Sequence, residues 1–304
     1  MISVAAIVGP TAVGKTELAA RIAADLGSEV VSIDSMQAYR GLDVGTAKPP
    51  TALREKVAHH MIDVFDPHDD ITVAEFRDRA RDAIADVAGR GHTPLLVGGS
   101  GLYFRAVVDD LAFPPRADEV RERLEAECEE VGAEALYERL QRLDARAAAR
   151  IEPQNARRTI RALEVIELTG EPFSAPDAWD RYESIYDLRV VGITIDRVRL
   201  YENIARRVDD MIELGLVQEA LELDREGLGR TARQALGYRQ VLDVTNPTDT
   251  ESIRGAIVRA TKRFARRQES WFRADPRVRW LDADDPDVAE TAVQLFAGAR
   301  VERT

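Results

Sequence analysis

The sequence predicts an α/β fold: a parallel sheet covered by helices, interrupted by an all-helical insertion. Three observations carry this reading of the 304 residues. Short apolar runs alternate with helical patterns over residues 1–110, a Gly-rich turn joins the first run to the first helix, and strand character vanishes across 116–187. Strands separated by helices imply parallel pairing with both faces covered.

The elements follow in order. VAAIVG, residues 4–9, reads as a buried strand; residues 2–8 lack a positive flank and lead straight into Gly9, unlike a signal peptide. GKTELAARIAADLG is a helix, with Leu18, Ile22 and Leu26 at helical spacing and Gly27 as its stop. EVVSID is the second strand, ending at Asp34. Thr72 and Glu75 form a capping box for a helix running to about Ala88. TPLLVGG, 93–99, is another buried strand. The character shifts near FPPRADEV, 113–120, and residues 116–187 read as a helical insertion ending in a loop at 170–180. LRVVGITID, 188–196, returns to the core, so that 1–115 and 188–304 form one domain. Helices dominate 199–273, with a second capping box expected at Thr248 and Glu251.

Composition bounds the function. The chain is 45% hydrophobic and 32% charged, ordinary for a globular protein. Cys128 is the sole cysteine, which excludes a disulfide framework and a cysteine-rich zinc site, so a cytoplasmic setting is expected. No apolar run reaches the roughly 18 residues of a membrane span. The net charge of −12 opposes a polyanionic partner unless positive charge is gathered locally.

Gly9, Pro10, Thr11, Ala12, Val13, Gly14, Lys15 and Thr16 fit the nucleotide- and ATP-binding signature G-x-x-x-x-G-K-[ST]. Glycines let backbone N–H groups converge on an anion, and the helix N-terminus adds its positive dipole end. Lys15 supplies a charge, and Thr16 a hydroxyl for Mg²⁺. A triphosphate hydrolase also needs a carboxylate closing a hydrophobic strand, yet PLLVGG ends in Gly98 and Gly99. Asp34 closes the other strand. With the second strand beside the first, it would stand near the loop as metal ligand or as base. The following loop, DSMQAYRGLDVGTAKP, sets Asp34, Ser35 and Gln37 where they suit a base edge.

Positive charge is gathered on two helices. Arg157, Arg158 and Arg161 fall within about 100° of arc, opposite Ile160, Leu163 and Ile166. Arg259, Lys262, Arg266 and Arg273 line a stripe of a second helix, with Ile257, Phe264 and Trp271 on its other side. Residues 254–279 hold nine Lys/Arg against two acids, which favours a polyanion larger than a nucleotide. Arg206 and Arg207 either neutralise a leaving phosphate or answer Asp209 and Asp210 at the surface. DDMIE, 209–213, imitates an acidic metal motif of helical-bundle prenyl synthases, but this chain opens as α/β. His59 and His60 read as packing residues rather than metal ligands, and Trp271 and Trp280 as core.

GPTAVGKT, SIDSMQAYRGLDVGTAKP, HHMIDVFDP, LLVGGSGLYFRAV, NARRTIRALEV, ALGYRQ and KRFARRQESWFR occur in this order, from about residue 3 to 273. Together they closely resemble the bacterial tRNA dimethylallyltransferase, or tRNA isopentenyltransferase, family. The resemblance implies a P-loop NTPase-like core with the helical insertion, and Mg²⁺ as cofactor. It also implies transfer of a dimethylallyl group from its diphosphate to the exocyclic amine of the adenosine 3′-adjacent to the anticodon. Partners would be the tRNA anticodon stem-loop and dimethylallyl diphosphate, with the enzyme a monomer. Asp34 would be the base, with Ser35, Met36 and Gln37 at the adenosine. Thr16 and Lys15 would join it in catalysis, with Arg207 at the diphosphate and Arg206 as the alternative. Asn203 stands where the family commonly has a basic residue, and Ser100 where it usually has Thr. Ser100, Arg121, Gln154, Asn155, Arg157, Arg158, Arg161, Gln234, Arg239, Lys262 and Arg266 would contact tRNA. Competing readings are a P-loop kinase, a prenyltransferase acting on free adenine nucleotides, and a non-catalytic RNA-binding module.

Overall fold

Residues 1–114, 116–174 and 181–298 are described by a computed structural model. Its first elements are β1 (Ser3–Val8), α1 (Lys15–Ala23), β2 (Ser28–Ser32), α2 (Thr51–Arg54), β3 (His59–His60), α3 (Val73–Gly89), β4 (Thr93–Gly98) and α4 (Gly101–Val108). Then come α5 (Asp118–Val131), α6 (Ala133–Leu143), α7 (Ala145–Ala148) and α8 (Ala156–Thr169). The remainder is β5 (Asp187–Thr194), α9 (Arg197–Glu213), α10 (Leu216–Glu226), α11 (Arg230–Arg233), α12 (Tyr238–Leu242), α13 (Thr250–Arg273), β6 (Val278–Asp282) and α14 (Val288–Phe296). Residues 175–180, the end of the expected loop at 170–180, lie outside the described residues.

The six strands form one parallel sheet in the order β3-β2-β4-β1-β5-β6. Alternation along β1 shows why it is apolar throughout. Val4, Ala6 and Val8 enter one core cluster, and Ala5 and Ile7 the other. One face is covered by α3, α4 and parts of α9 to α13, the other by α1, α9 and α14. The second strand is not beside the first: β4 stands between them, with Leu95 opposite both Ala5 and Val30. A strand from later in the chain takes the slot between them, which proximity in sequence does not reveal. β3, β6 and α14 were not anticipated.

The capping box of α3 forms as expected, Thr72 accepting the Glu75 N–H while Glu75 accepts that of Thr72. The second one does not. Asp249 is the N-cap of α13 and accepts the Ser252 N–H, while Thr248 donates to Asn246. Ser, Thr and Asp all cap well, so the motif alone does not fix which of them starts the helix. The buried face of α13 is Ile253, Ile257, Thr261, Ala265, Gln268 and Phe272; Ile257 lies on it as expected, Phe264 and Trp271 do not. Trp271 is 39% exposed rather than core. Trp280 packs partly buried against the core.

The chain divides into two compact units, Asp110–Tyr182 and the remainder, against an insertion expected at 116–187. The smaller unit is helical, built on Leu124, Leu136, Leu140 and Leu163.

Candidate active site

The carboxyl ends of the strands gather the site. After β1 the chain turns at Gly9, φ +142, where a Cβ would lie 2.5 Å from the Ile193 carbonyl of β5. Glycine is required there by conformation and by space. Gly14, φ +95, caps α1 and delivers Lys15 and Thr16 into its first turn. Lys15 Nζ donates to the Pro10 carbonyl at 2.6 Å. Withdrawal from water, reinforced by the Arg207 charge, pushes its pKa down to about 7. Burial likewise lowers Arg207 from its ordinary value, though a guanidinium stays charged.

A cavity of about 430 Å³ opens beside this loop. Thr11, Asp34, Ser35, Met36, Ser100 and Arg207 all line it. Asp34 Oδ1 accepts the Met36 N–H at 3.0 Å, which leaves the second carboxylate oxygen for a ligand. Ser100 occupies the N-cap position of α4 without capping it, so its hydroxyl is available to the cavity. Gly98 and Gly99 answer to space: a Cβ on Gly98 would sit 2.9 Å from the Ile33 backbone, and one on Gly99 would collide with the Gln268 amide. Of the arginine pair, Arg207 faces the cavity, whereas Arg206 donates outside it to Asn203. Asp209 is answered by Arg254 of α13 at 2.5 Å, not by either of them.

The far wall comes from α9, the segment joining α11 to α12, α12 and α13. Ile204, Val208, Met211, Leu236 and Phe264 are its apolar part, and Gln234, Arg239, Arg263 and Arg267 its polar part. Four arginines therefore line the cavity against one carboxylate, in a chain of net charge −12. Arg263, Arg267, Met211 and Gln268 were missed in the sequence. Thr261 and Gln268, polar residues seven apart on an otherwise apolar stripe, were the available signal.

The loop after Asp34 is fixed by side chains. Glu219 of α10 accepts the Val44 and Gly45 N–H groups, each at 3.0–3.3 Å, and the Tyr238 hydroxyl at 2.5 Å. Burial and that carboxylate raise the Tyr238 pKa, so the phenol stays a donor. Gln37 does not line the cavity: it donates to the Thr46 and Ala47 carbonyls and accepts from Ser32.

Other anticipated residues lie elsewhere. Lys262 stands over the Tyr201 ring, and Arg266 is exposed without lining the cavity. Arg273 pairs with Glu269 and covers the Trp280 ring. In the helical unit, Arg121 and Arg161 both approach the buried Glu164 carboxylate, at 3.8 and 2.9 Å. Asn155 is the N-cap of α8, and Gln154, Arg157 and Arg158 are exposed. His60 bonds Glu29, and His59 the Val57 carbonyl.

Thr16 stands in the first turn of α1, at the end of the phosphate loop. Thr16 offers one hydroxyl, and among the described residues no cluster of three or more His, Cys, Asp or Glu is arranged to hold a metal. Mg²⁺ typically takes few protein oxygens and fills its shell from substrate phosphates and water.

Comparison with known proteins follows this geometry. The IPP transferase family model matches residues 37–275. A curated tRNA dimethylallyltransferase of Nocardioides is 48% identical, covering 97% of this chain and 96% of its own. The crystal structure of the full-length tRNA isopentenylpyrophosphate transferase of Bacillus halodurans is 40% identical, with a TM-score of 0.70, covering 98% and 95%. A eukaryotic dimethylallyltransferase acting on tRNA shares the fold at 23% identity and a TM-score of 0.81, covering 100% and 81%.

Proposed function

The chain belongs to the IPP transferase family and transfers a prenyl group to tRNA; we propose that the donor is dimethylallyl diphosphate and the acceptor the exocyclic amine of the adenosine 3′-adjacent to the anticodon. One observation carries the assignment of roles. A single cavity takes in Thr11 of the phosphate loop, Arg207 of α9 and a carboxylate, Asp34, with an oxygen to spare, and Lys15 of the loop feels the charges of both.

The loop amides, Lys15 and Arg207 hold the diphosphate and stabilise the charge that grows on it as the allylic C–O bond breaks. Mg²⁺, held by Thr16, would screen the same charge when bound. An adenine amine is a weak nucleophile because its lone pair is delocalised into the ring, so Asp34 takes its proton as the C–N bond forms. The adenosine must leave its stack to reach this depth, at a few kcal/mol. The arginines of the far wall, and the exposed Arg157 and Arg158, offset that through phosphate contacts. The apolar residues Val208, Met211 and Phe264 keep water from the allylic centre.

The test is incubation with dimethylallyl diphosphate, Mg²⁺ and either unmodified tRNA or adenosine monophosphate, followed by mass spectrometry. A five-carbon gain on tRNA is expected. Gain on the mononucleotide alone would reassign the acceptor, and turnover of ATP without either gain would favour a kinase.

A further inference from the structure

The phosphate loop is held by two side chains that lie outside its motif. Between them is Ala12, at φ +63. An L side chain adopts that left-handed conformation only at a cost, and it persists where its surroundings over-determine it. On one side, Gln268 Oε1 accepts the Thr11 N–H at 2.9 Å. On the other, Asn203 Nδ2 donates to the Ala12 carbonyl at 3.3 Å. Both amides are themselves oriented. Arg206 donates to Asn203 Oδ1 at 3.1 Å, which turns Nδ2 toward the loop. The Thr11 N–H requires an oxygen, which turns Gln268 Nε2 toward Gly99, where only glycine leaves it room. Gln268 is 7% exposed and lies in the cavity wall. Asn203 is one turn before Arg207 on α9.

We propose that Gln268 and Asn203 are positioning residues for the diphosphate: together they clamp Ala12 in its strained conformation, so that the N–H groups from Ala12 to Thr16 stay aimed at the anion before it arrives. This rests on the diphosphate reading of the loop. Donors fixed in advance need no reorganisation as charge develops on the leaving group. Released, Ala12 relaxes toward negative φ, its peptide planes turn, and the cradle loses its convergence. Neither glutamine nor asparagine touches the reacting atoms in this scheme; both act through the loop.

The experiment is calorimetric titration of the full chain with inorganic diphosphate and Mg²⁺, alongside tRNA binding. Gln268→Met keeps the volume against Gly99 but removes the acceptor, and is expected to weaken diphosphate binding about tenfold, with tRNA binding within twofold. Asn203→Leu gives a smaller loss, about threefold, and serves if the glutamine variant fails to fold. The decisive arm is rescue. Glycine carries little penalty at positive φ, so Ala12→Gly should recover most of the loss in the Gln268→Met background. Unchanged diphosphate affinity in both single variants overturns the proposal. So does a loss that Ala12→Gly leaves untouched, or an equal loss of tRNA binding, which would put Gln268 at the acceptor instead. If the unaltered chain binds no diphosphate, the donor assignment itself falls, a result distinct from either.

Discussion

Two loops meet in one cavity and are built in opposite ways. The phosphate loop works with its main chain: Gly9, Ala12 and Gly14 take positive φ, and the N–H groups are the ligands. The loop after Asp34 works with side chains, and its backbone is pinned by residues nearly two hundred positions away. Glu219 collects its N–H groups, and Tyr238 packs where a Cβ on Gly45 would collide. The first design presents backbone donors: it needs glycine at Gly9 and Gly14, and Ala12 is held from outside by Gln268 and Asn203. The second is distributed, so its failure should be graded rather than complete.

That contrast can be broken in order of expected effect. Asp34→Asn keeps an oxygen for the Met36 N–H but removes the base. Transfer should fall about 10²–10⁴-fold with tRNA affinity nearly unchanged, as read by product mass and filter binding; matching losses in both would make Asp34 a structural residue. Arg207→Gln should cost about 10²–10³ in kcat/KM for the donor, and Arg206→Gln about threefold or less, since it acts only through Asn203; steady-state kinetics with varied dimethylallyl diphosphate would separate them.

The third effect is a pH dependence. With the free loop, Lys15 titrates near 7, well below its ordinary 10.5. A bound anion restores the charged form and raises that pKa. Binding therefore takes up a proton above pH 7, and affinity for diphosphate should decline by up to about tenfold per unit as pH rises from there. The same depression means the unfolded chain holds the extra proton, so the Lys15 contribution to stability of the ligand-free protein rises from pH 7 toward 10. Calorimetry in buffers of different ionisation enthalpy, with Lys15→Met as the reference that lacks the slope, checks the sign. The smallest effect belongs to the side-chain-built loop. Glu219→Gln replaces an acceptor of several bonds by one of fewer, worth about 1–3 kcal/mol. It should raise KM for tRNA several-fold and lower the melting temperature by a few degrees, with KM for the donor unmoved.

Legibility in the sequence divides along the same line. The anion cradle was readable because its chemistry is contiguous: eight residues specify turn, helix start, lysine and hydroxyl. Asp34 was readable as the end of an apolar run. Periodicity along α13 admits several stripes, and Phe264 and Trp271 suggested one displaced from the true buried face. Arg263 and Arg267 reach the cavity, while Lys262 and Arg266 do not line it. Gln37 reads in the sequence as facing a base edge; in the fold its amide serves the carbonyls of its own loop, a contact that residue type alone does not reveal. Arg121 and Arg161 resembled free charges because Glu164, four or fewer residues from one and over forty from the other, is buried between them only after folding.

The place where the chain leaves the sheet domain has a consequence for modularity. Asp109 and Ser184 face each other in an antiparallel bridge, and Ile185 N–H and Ser184 hydroxyl both donate to Val108. Exit and return are thus adjacent backbone positions already tied by hydrogen bonds, with Arg277 of the sheet domain holding the Asp109 carboxylate. Everything between them is, to the sheet domain, a single closed loop. Shortening such a loop from tens of residues to a tight turn changes its closure entropy by only about 2–3 kcal/mol, in favour of folding. The hydrogen bonds at the junction therefore close the sheet domain's own chain path, and the length of what lies between adds little entropic cost.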